Sequence, residues 1–159
     1  METLHTWDMV YVPQHEMLVR LLAAATLAGL VGLERELGGK TMGLRTMILV
    51  ATGAALMTLL AMDLAAVAAR DLEMKLDPGR IIQGIVSGIG LLGVGALLQS
   101  QRRLRGATTG ASVWLVGGVG IACGLGLYVA AAAATAIGLF VLAGLGLLER
   151  WIKKKLSDD

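Results

Sequence analysis

The chain alternates between long runs of uncharged, apolar residues and short charged segments. No charged residue occurs at 81–101 or at 106–148. A helix needs about 20 apolar residues to cross a bilayer, so the first run is one span and the second is two. The turn between those two is predicted at Gly124-Leu125-Gly126. The shorter uncharged runs 21–33 and 46–62 become spans if the charged side chains at their ends reach the membrane interface.

This pattern predicts an all-α integral membrane protein, a bundle of five transmembrane helices. The predicted spans are 17–35, 45–63, 80–99, 108–124 and 127–148, in one domain over 1–159. Composition agrees, because 56% of the residues are hydrophobic and only 16% are charged. A soluble domain of this size needs more polar residues to cover its surface, which excludes a soluble enzyme and a disordered chain. Cys123 is the single cysteine, which excludes a disulfide scaffold.

Basic residues concentrate on one side of the predicted bundle. The connections after the first and third spans and the tail 149–159 carry ten of the fourteen Lys and Arg residues. The positive-inside rule then places the N-terminus outside and the basic tail in the cytoplasm. A net charge of +2 is too small to indicate nucleic-acid binding, and the lipid bilayer is the expected surrounding.

Glycines crowd the third and fourth spans. Close backbone approach through glycine supplies dispersion contacts where lipid offers no hydrophobic drive for helix pairing. We therefore predict that glycines pack these helices in the bundle centre, the alternative being a glycine-lined pathway or hinge. The predicted packing positions are Gly84, Gly88, Gly90, Gly93, Gly95, Gly120 and Gly124.

Polar residues gather at the cytoplasmic ends of three predicted spans. Ionisable groups at membrane depth are costly and mark functional sites by default. The hydroxyls at the start of the fourth span have a simpler interpretation as helix N-caps. The sharper hypothesis is a polar plug in which Glu34 pairs with Arg45 or Arg105. The predicted cluster comprises Glu34, Arg35, Arg45, Thr46, Arg105, Thr108 and Thr109.

Other chemistry has little support. Gly88-Ile89-Gly90-Leu91-Leu92-Gly93 matches the dinucleotide fingerprint, but it lies inside a membrane helix and no acidic residue follows about 20 positions later. Asp63 and Asp77 lie on the predicted outer side, where solvated charges are the expected interpretation and a weak cation site is the alternative. No nucleophile–base pair or metal-ligand spacing occurs, so we expect no enzyme activity, no cofactor and no metal site.

Several motifs in order resemble the MgtC/SapB family of membrane proteins. They are Gly32-Leu33-Glu34-Arg35-Glu36, Gly43-Leu44-Arg45-Thr46, Asp77-Pro78-Gly79-Arg80-Ile81, the stretch from Ser87 to Gly95, the stretch from Arg105 to Trp114, and the stretch from Gly120 to Gly126. The resemblance covers about residues 17–148. The family usually has Phe at position 91, Ala at 94, Leu at 107 and Ala at 110. Many relatives carry a soluble C-terminal domain, which we expect to be missing here.

The resemblance implies a multi-pass protein of the bacterial inner membrane, associated with magnesium limitation and acid tolerance. We expect a regulatory role through helix contacts with a second copy, as a homodimer, or with other inner-membrane proteins. The alternative is a small Mg²⁺ or proton transporter or channel, with Glu34 and the arginines near Arg45 gating a path beside the third helix.

Overall fold

A computed structural model of the chain describes residues 12–71, 76–99 and 103–145. These residues form a bundle of α-helices, and none of them lies in a β-strand. The helices are α1 (Gln14–Leu37), α2 (Leu44–Asp71), α3 (Pro78–Gln99), α4 (Arg103–Gly124) and α5 (Tyr128–Leu139), and a π-helical segment, Phe140–Leu145, continues α5.

The all-helical membrane class is confirmed, with one difference in the fifth span. Four helices, α1 to α4, are long and apolar enough to cross a bilayer. The fifth apolar helix, Tyr128–Gly144, is shorter. The second helix continues past the predicted end of its span at 63 out to Asp71; the sequence left open whether this stretch continues the helix or lies on the surface. The tail 149–159 lies outside the described residues, and the orientation stays a prediction.

Local sequence explains where the helices start and stop. Gly39 ends α1 with a left-handed φ of +60°, a conformation in which glycine pays no steric penalty. Pro78 occupies the first position of α3, and the Asp77 carboxylate accepts the amide of Gly79 at 2.9 Å. An aspartate that caps a helix and a proline in its first turn are both favoured at helix starts. Gly126, with φ +78°, makes the turn after α4 at the predicted place.

Helix α4 lies at the centre and contacts all four other helices. Small and β-branched side chains form the core around it. To this core, α4 contributes Val113, Val116, Val119 and Cys123, and α2 contributes Met47, Ala51, Ala54 and Ala55. Because these side chains are short, the helix axes approach closely and dispersion contacts replace the hydrophobic drive that lipid does not supply.

Glycines make the closest of these approaches. A Cβ on Gly120 would overlap the carbonyl oxygen of Ala51, and one on Gly124 would lie 2.8 Å from the carbonyl oxygen of Ala55. Both obstructing atoms belong to the backbone of α2, which has little freedom to move. In this structure, α2 and α4 therefore pack against each other where only glycine fits.

The glycines of α3 behave differently from the prediction. Gly93 faces the backbone of Gly110 on α4. A Cβ on Gly84, Gly88, Gly90 or Gly95 would meet nothing within 4 Å. These four positions therefore do not pack α3 against the described helices, because α3 presents Ile89, Gly93 and Ala96 to the bundle instead.

Candidate functional site: a buried arginine at one end of the bundle

Arg35, in the last turn of α1, is the largest of the fully buried side chains, with 1% of its surface exposed. Its guanidinium points into the bundle instead of towards the interface. It donates to the Ser112 hydroxyl at 3.4 Å, to the Thr41 carbonyl at 3.3 Å and to the Thr109 hydroxyl. A buried charge is tolerated only when its hydrogen bonds are met. These contacts satisfy the two terminal nitrogens of the guanidinium with neutral groups from α4 and from the α1–α2 connection.

The hydroxyl groups on α4 are not helix caps. Because α4 begins at Arg103, Thr108 and Thr109 lie beyond its first turn. The Ser112 hydroxyl donates to the Thr108 carbonyl at 2.8 Å and so keeps its oxygen available to Arg35. Ser112 follows Thr109 by three positions, which places both on one face of the helix. That shared face receives the guanidinium.

The connection between α1 and α2, residues 38–43, is held by the side chains of Arg35 and Glu36 at the end of α1. The Thr41 hydroxyl lies 3.4 Å from that of Thr109, and the Thr41 carbonyl accepts from Arg35. At the other end, the Glu36 carboxylate accepts the backbone N–H of Leu44, the first residue of α2, at 3.0 Å. That amide has no partner within its own helix, and a carboxylate there also complements the helix dipole.

Two residues of the connection, Met42 and Gly43, have unusual backbone environments. Met42 adopts a left-handed φ of +60°, which non-glycine residues rarely do. Its side chain packs against the hydrophobic core. Gly43 lies so close to the Glu36 carboxylate that a Cβ there would overlap its oxygen. The backbone of the connection therefore packs closely against the side chains of Arg35 and Glu36, in the last turn of α1.

The structure assembles part of the predicted polar cluster. Arg35 and Thr109 come together, whereas Thr108 is exposed, and Arg45 is exposed and does not pair with Glu34. One carboxylate oxygen of Glu34 is buried and has no hydrogen-bond partner. The same is true of Nε of Arg35. Thr46 is partly buried in the first turn of α2. Arg105 lies in α4, and its side chain is outside the described part of the chain.

Sequence reasoning missed the roles of Thr41 and Glu36. It paired Glu34 with a distant arginine because opposite charges at one membrane face invite that pairing. Helical geometry decides otherwise, since consecutive residues of α1 point about 100° apart. Arg35 points into the bundle and Glu36 towards the start of α2. The helical spacing of the buried face could have revealed that Arg35 points inwards. Arg35 continues the row of Ala24, Ala28 and Val31, which are also buried on α1.

A second arginine joins the helices at the opposite end. Arg20, near the start of α1, donates to the carbonyl of Gly124 at 2.7 Å and forms an ion pair with Glu16. Its guanidinium also lies beside Gly126. A cation at the last carbonyls of α4 is favourable because the helix dipole is negative there. The sequence had assigned Arg20 only to the interface.

In chemical terms, the Arg35 site is a fixed cation surrounded by hydroxyl and carbonyl oxygens. Among residues 12–71, 76–99 and 103–145, no three His, Cys, Asp or Glu side chains are grouped as metal ligands. The geometry ties one end of α1 to α4 and to the connection.

A bundle of apolar helices with its charged groups at the two ends defines a multi-pass membrane protein. The family model described as "MgtC family" matches residues 21–151. The chain is 42% identical over 120 residues to "Protein MgtC" of Salmonella typhimurium (strain LT2), covering 76% of this chain and 48% of that protein. It therefore belongs to the MgtC family.

Two further relatives agree. "Protein SapB" of Bacillus subtilis is 36% identical over 140 residues, 87% of this chain and 59% of that protein. "Putative magnesium transporter YhiD" of Escherichia coli K12 is 37% identical over 114 residues, 71% of this chain and 53% of that protein. The chain spans about half the length of the curated relatives it matches. No solved structure matches it.

Proposed function

We propose that this protein is a regulatory protein of the bacterial inner membrane that acts by binding another transmembrane helix through α3. The observation that carries the proposal is an uncovered stripe of glycines. At about 100° per residue, Gly84, Gly88 and Gly95 fall within about 40° of each other on α3. All three are exposed, with open space where a Cβ would lie. Glycine stripes of this kind bring membrane helices into backbone contact.

The occupant we propose is α3 of a second copy of this chain. Ser87 and Gln83 are exposed on α3, and they lie about 80° and about 120° around the helix from the centre of the stripe, both on the same side of it. Hydroxyl and amide groups both donate and accept hydrogen bonds, so the same group on a second α3 can satisfy them where lipid cannot. A two-fold pair of identical surfaces meets this requirement.

The close packing of α2 against α4 supports contact rather than transport within one chain. Gly120 and Gly124 press α4 against the backbone of α2, and the buried hydroxyls of Thr58 and Thr135 donate to carbonyls of their own helices. These groups offer no chain of free polar atoms for a hydrated ion. The link to magnesium comes from a relative, which is named "Putative magnesium transporter YhiD".

The decisive experiment compares two leucine substitutions at glycines with open surroundings. Gly88→Leu fills the α3 stripe, and Gly53→Leu places the same side chain on an exposed position of α2. Association of two differently tagged copies is measured by co-purification from membranes. We expect Gly88→Leu to reduce the recovered pair about tenfold or more, which corresponds to about 1.4 kcal/mol, and Gly53→Leu to leave it unchanged. Equal recovery of both variants would contradict the proposed contact.

A transporter is the second candidate, favoured by Glu34. One carboxylate oxygen of Glu34 is buried without a partner, and intramembrane acids often belong to ion or proton pathways. Purified protein in liposomes would then carry Mg²⁺ or protons above the rate of empty vesicles. Glu34→Gln would reduce that flux without lowering the amount of inserted protein, and Glu36→Gln is the control because the Glu36 side chain is exposed and glutamine keeps an oxygen acceptor for the Leu44 amide. Flux at the empty-vesicle rate would reject this candidate.

A further inference from the structure

The α1–α2 connection and α3 are joined by an unbroken series of contacts that passes through Arg35. Thr41 of the connection bonds to Arg35, and Arg35 bonds to Thr109 of α4. The next residue of α4, Gly110, lies against the backbone of Gly93 on α3. A Cβ on Gly110 would be 3.1 Å from the Gly93 carbonyl oxygen. At this crossing, a shift of α4 is transmitted directly to α3, because the two backbones have no flexible side chain between them.

The connection combines an exposed surface with a strained backbone. Its residues 38–41 are exposed, and Met42 is held in a left-handed conformation that non-glycine residues rarely adopt. Besides backbone bonds from its first residues to the end of α1, the connection is held by the Arg35 bond to Thr41, by the Thr41 hydroxyl beside that of Thr109, and by the Glu36 bond to the Leu44 amide. A strained segment held by polar side-chain contacts can be released when those contacts break, which is what a conformational switch requires.

We infer that the α1–α2 connection is a latch that controls the position of α3. When the latch is closed, Arg35 holds Thr109 and fixes α4 at the level of Gly110. When the latch opens, Arg35 loses its partner in the connection and the α4–α3 crossing relaxes. Resting on the proposed function, the latch then regulates how α3 presents Gly84, Gly88 and Gly95 to its partner helix. A ligand or protein that binds the connection in its open form would act through this path.

The test uses two variants that loosen the latch from different anchors. Thr109→Val removes one of the three acceptors of Arg35, the one that Arg35 shares with Thr41, with little change of shape, and Glu36→Ala removes the acceptor of the Leu44 amide. Thr135→Val is the matched control, since it deletes a buried threonine hydroxyl on α5 whose bond is to Ala131 of the same helix. Hydrogen exchange of the amides in 38–44 reports the latch, and far-UV circular dichroism reports folding.

The position of α3 is measured within one chain. Spin labels at Leu30 on α1 and Ser87 on α3, both exposed, give a distance distribution in nanodiscs that hold a single copy. The unsubstituted parent controls for Cys123, which is buried. We expect Thr109→Val and Glu36→Ala to raise exchange in 38–44 about tenfold. We also expect both to broaden the distribution or shift its mean by about 1–2 Å, with Thr135→Val matching the parent.

Each outcome decides the inference. Faster exchange in 38–44 without a change at α3 would overturn it, because the connection would then be loose but uncoupled. Unchanged exchange in both variants would overturn it as well, because the anchors would not hold the latch. The Glu36→Ala effect on α3 should vanish when Thr109→Val is already present, since the path is then interrupted. These distances are measured in single copies, so the result does not depend on whether α3 binds a second chain.

Discussion

The guanidinium of Arg35 donates a hydrogen bond to the hydroxyl of Thr109, 74 positions further along the chain. This contact joins α1 to the central helix. The charge is buried among neutral oxygen atoms, so its stability depends on the geometry of the guanidinium fork rather than on an ion pair. That dependence can be tested by changing the fork while keeping the charge.

Arg35→Lys should destabilise the protein by about 1–3 kcal/mol, the usual cost of leaving buried polar groups unpaired. An ammonium group is compact and cannot span the three oxygen atoms that Arg35 reaches. Thermal unfolding in detergent measures the effect. Arg45→Lys is the control, because Arg45 is exposed and should tolerate the change. Equal melting temperatures for the two variants would show that the fork is unimportant.

Gly120→Ala and Gly53→Ala should have opposite effects on stability. A Cβ at Gly120 overlaps the backbone of Ala51, whereas one at Gly53 enters open space. Forcing α2 and α4 apart costs about 1–3 kcal/mol. At Gly53, alanine should stabilise the helix by about 0.5–1 kcal/mol, because glycine loses more backbone entropy on folding. Unfolding titrations with a denaturing detergent give both values, and a stabilising Gly120→Ala would disprove the close α2–α4 packing.

Gly43→Ala should reproduce the effect of Glu36→Ala. The new Cβ displaces the Glu36 carboxylate, so either change breaks the bond to the Leu44 amide, at a cost of about 1 kcal/mol. If both act through this bond, the double variant loses no more than either single variant. Additive losses in the same unfolding measurement would mean that Gly43 matters for another reason.

Arg20→Met should weaken the turn between α4 and α5. The substitution keeps an apolar stem but removes the donor to the Gly124 carbonyl, which costs about 0.5–2 kcal/mol for a cation at a helix C-terminus. Arg80→Met provides the comparison, because Arg80 is exposed in the first turn of α3. Proteolysis in the 124–127 turn should become faster for Arg20→Met alone. An unaltered cleavage rate would show that the bond adds nothing.

Most helix boundaries follow from local sequence. The cap at Asp77 and Pro78 and the glycine turns at Gly39 and Gly126 are read from residues that are neighbours in the chain. Apolar run length also predicts the membrane class. The length of the uncharged run does not give the end of α2. The helix continues after the run through 63–71, which has the sequence DLAAVAARD and contains charged residues.

The glycines show why side-chain environment needs the tertiary structure. Gly88 and Gly120 both belong to small-xxx-small pairs in apolar helices, and sequence gives them the same role. In the fold, Gly120 lies against the backbone of α2 while Gly88 faces open space. The difference arises from which face of each helix turns towards the bundle, and that depends on all the helices packing together.

By itself, the sequence determined that the chain is a helical membrane protein, where its turns lie, and that its polar residues collect at the helix ends. These properties depend on hydropathy and local backbone preferences, which act over a few residues. Only the tertiary structure decided that Arg35 is buried against Thr109, that Glu36 secures the start of α2, and that the glycine stripe of α3 is uncovered. Those facts depend on the rotation of each helix about its axis, which is set when distant parts of the chain pack against each other.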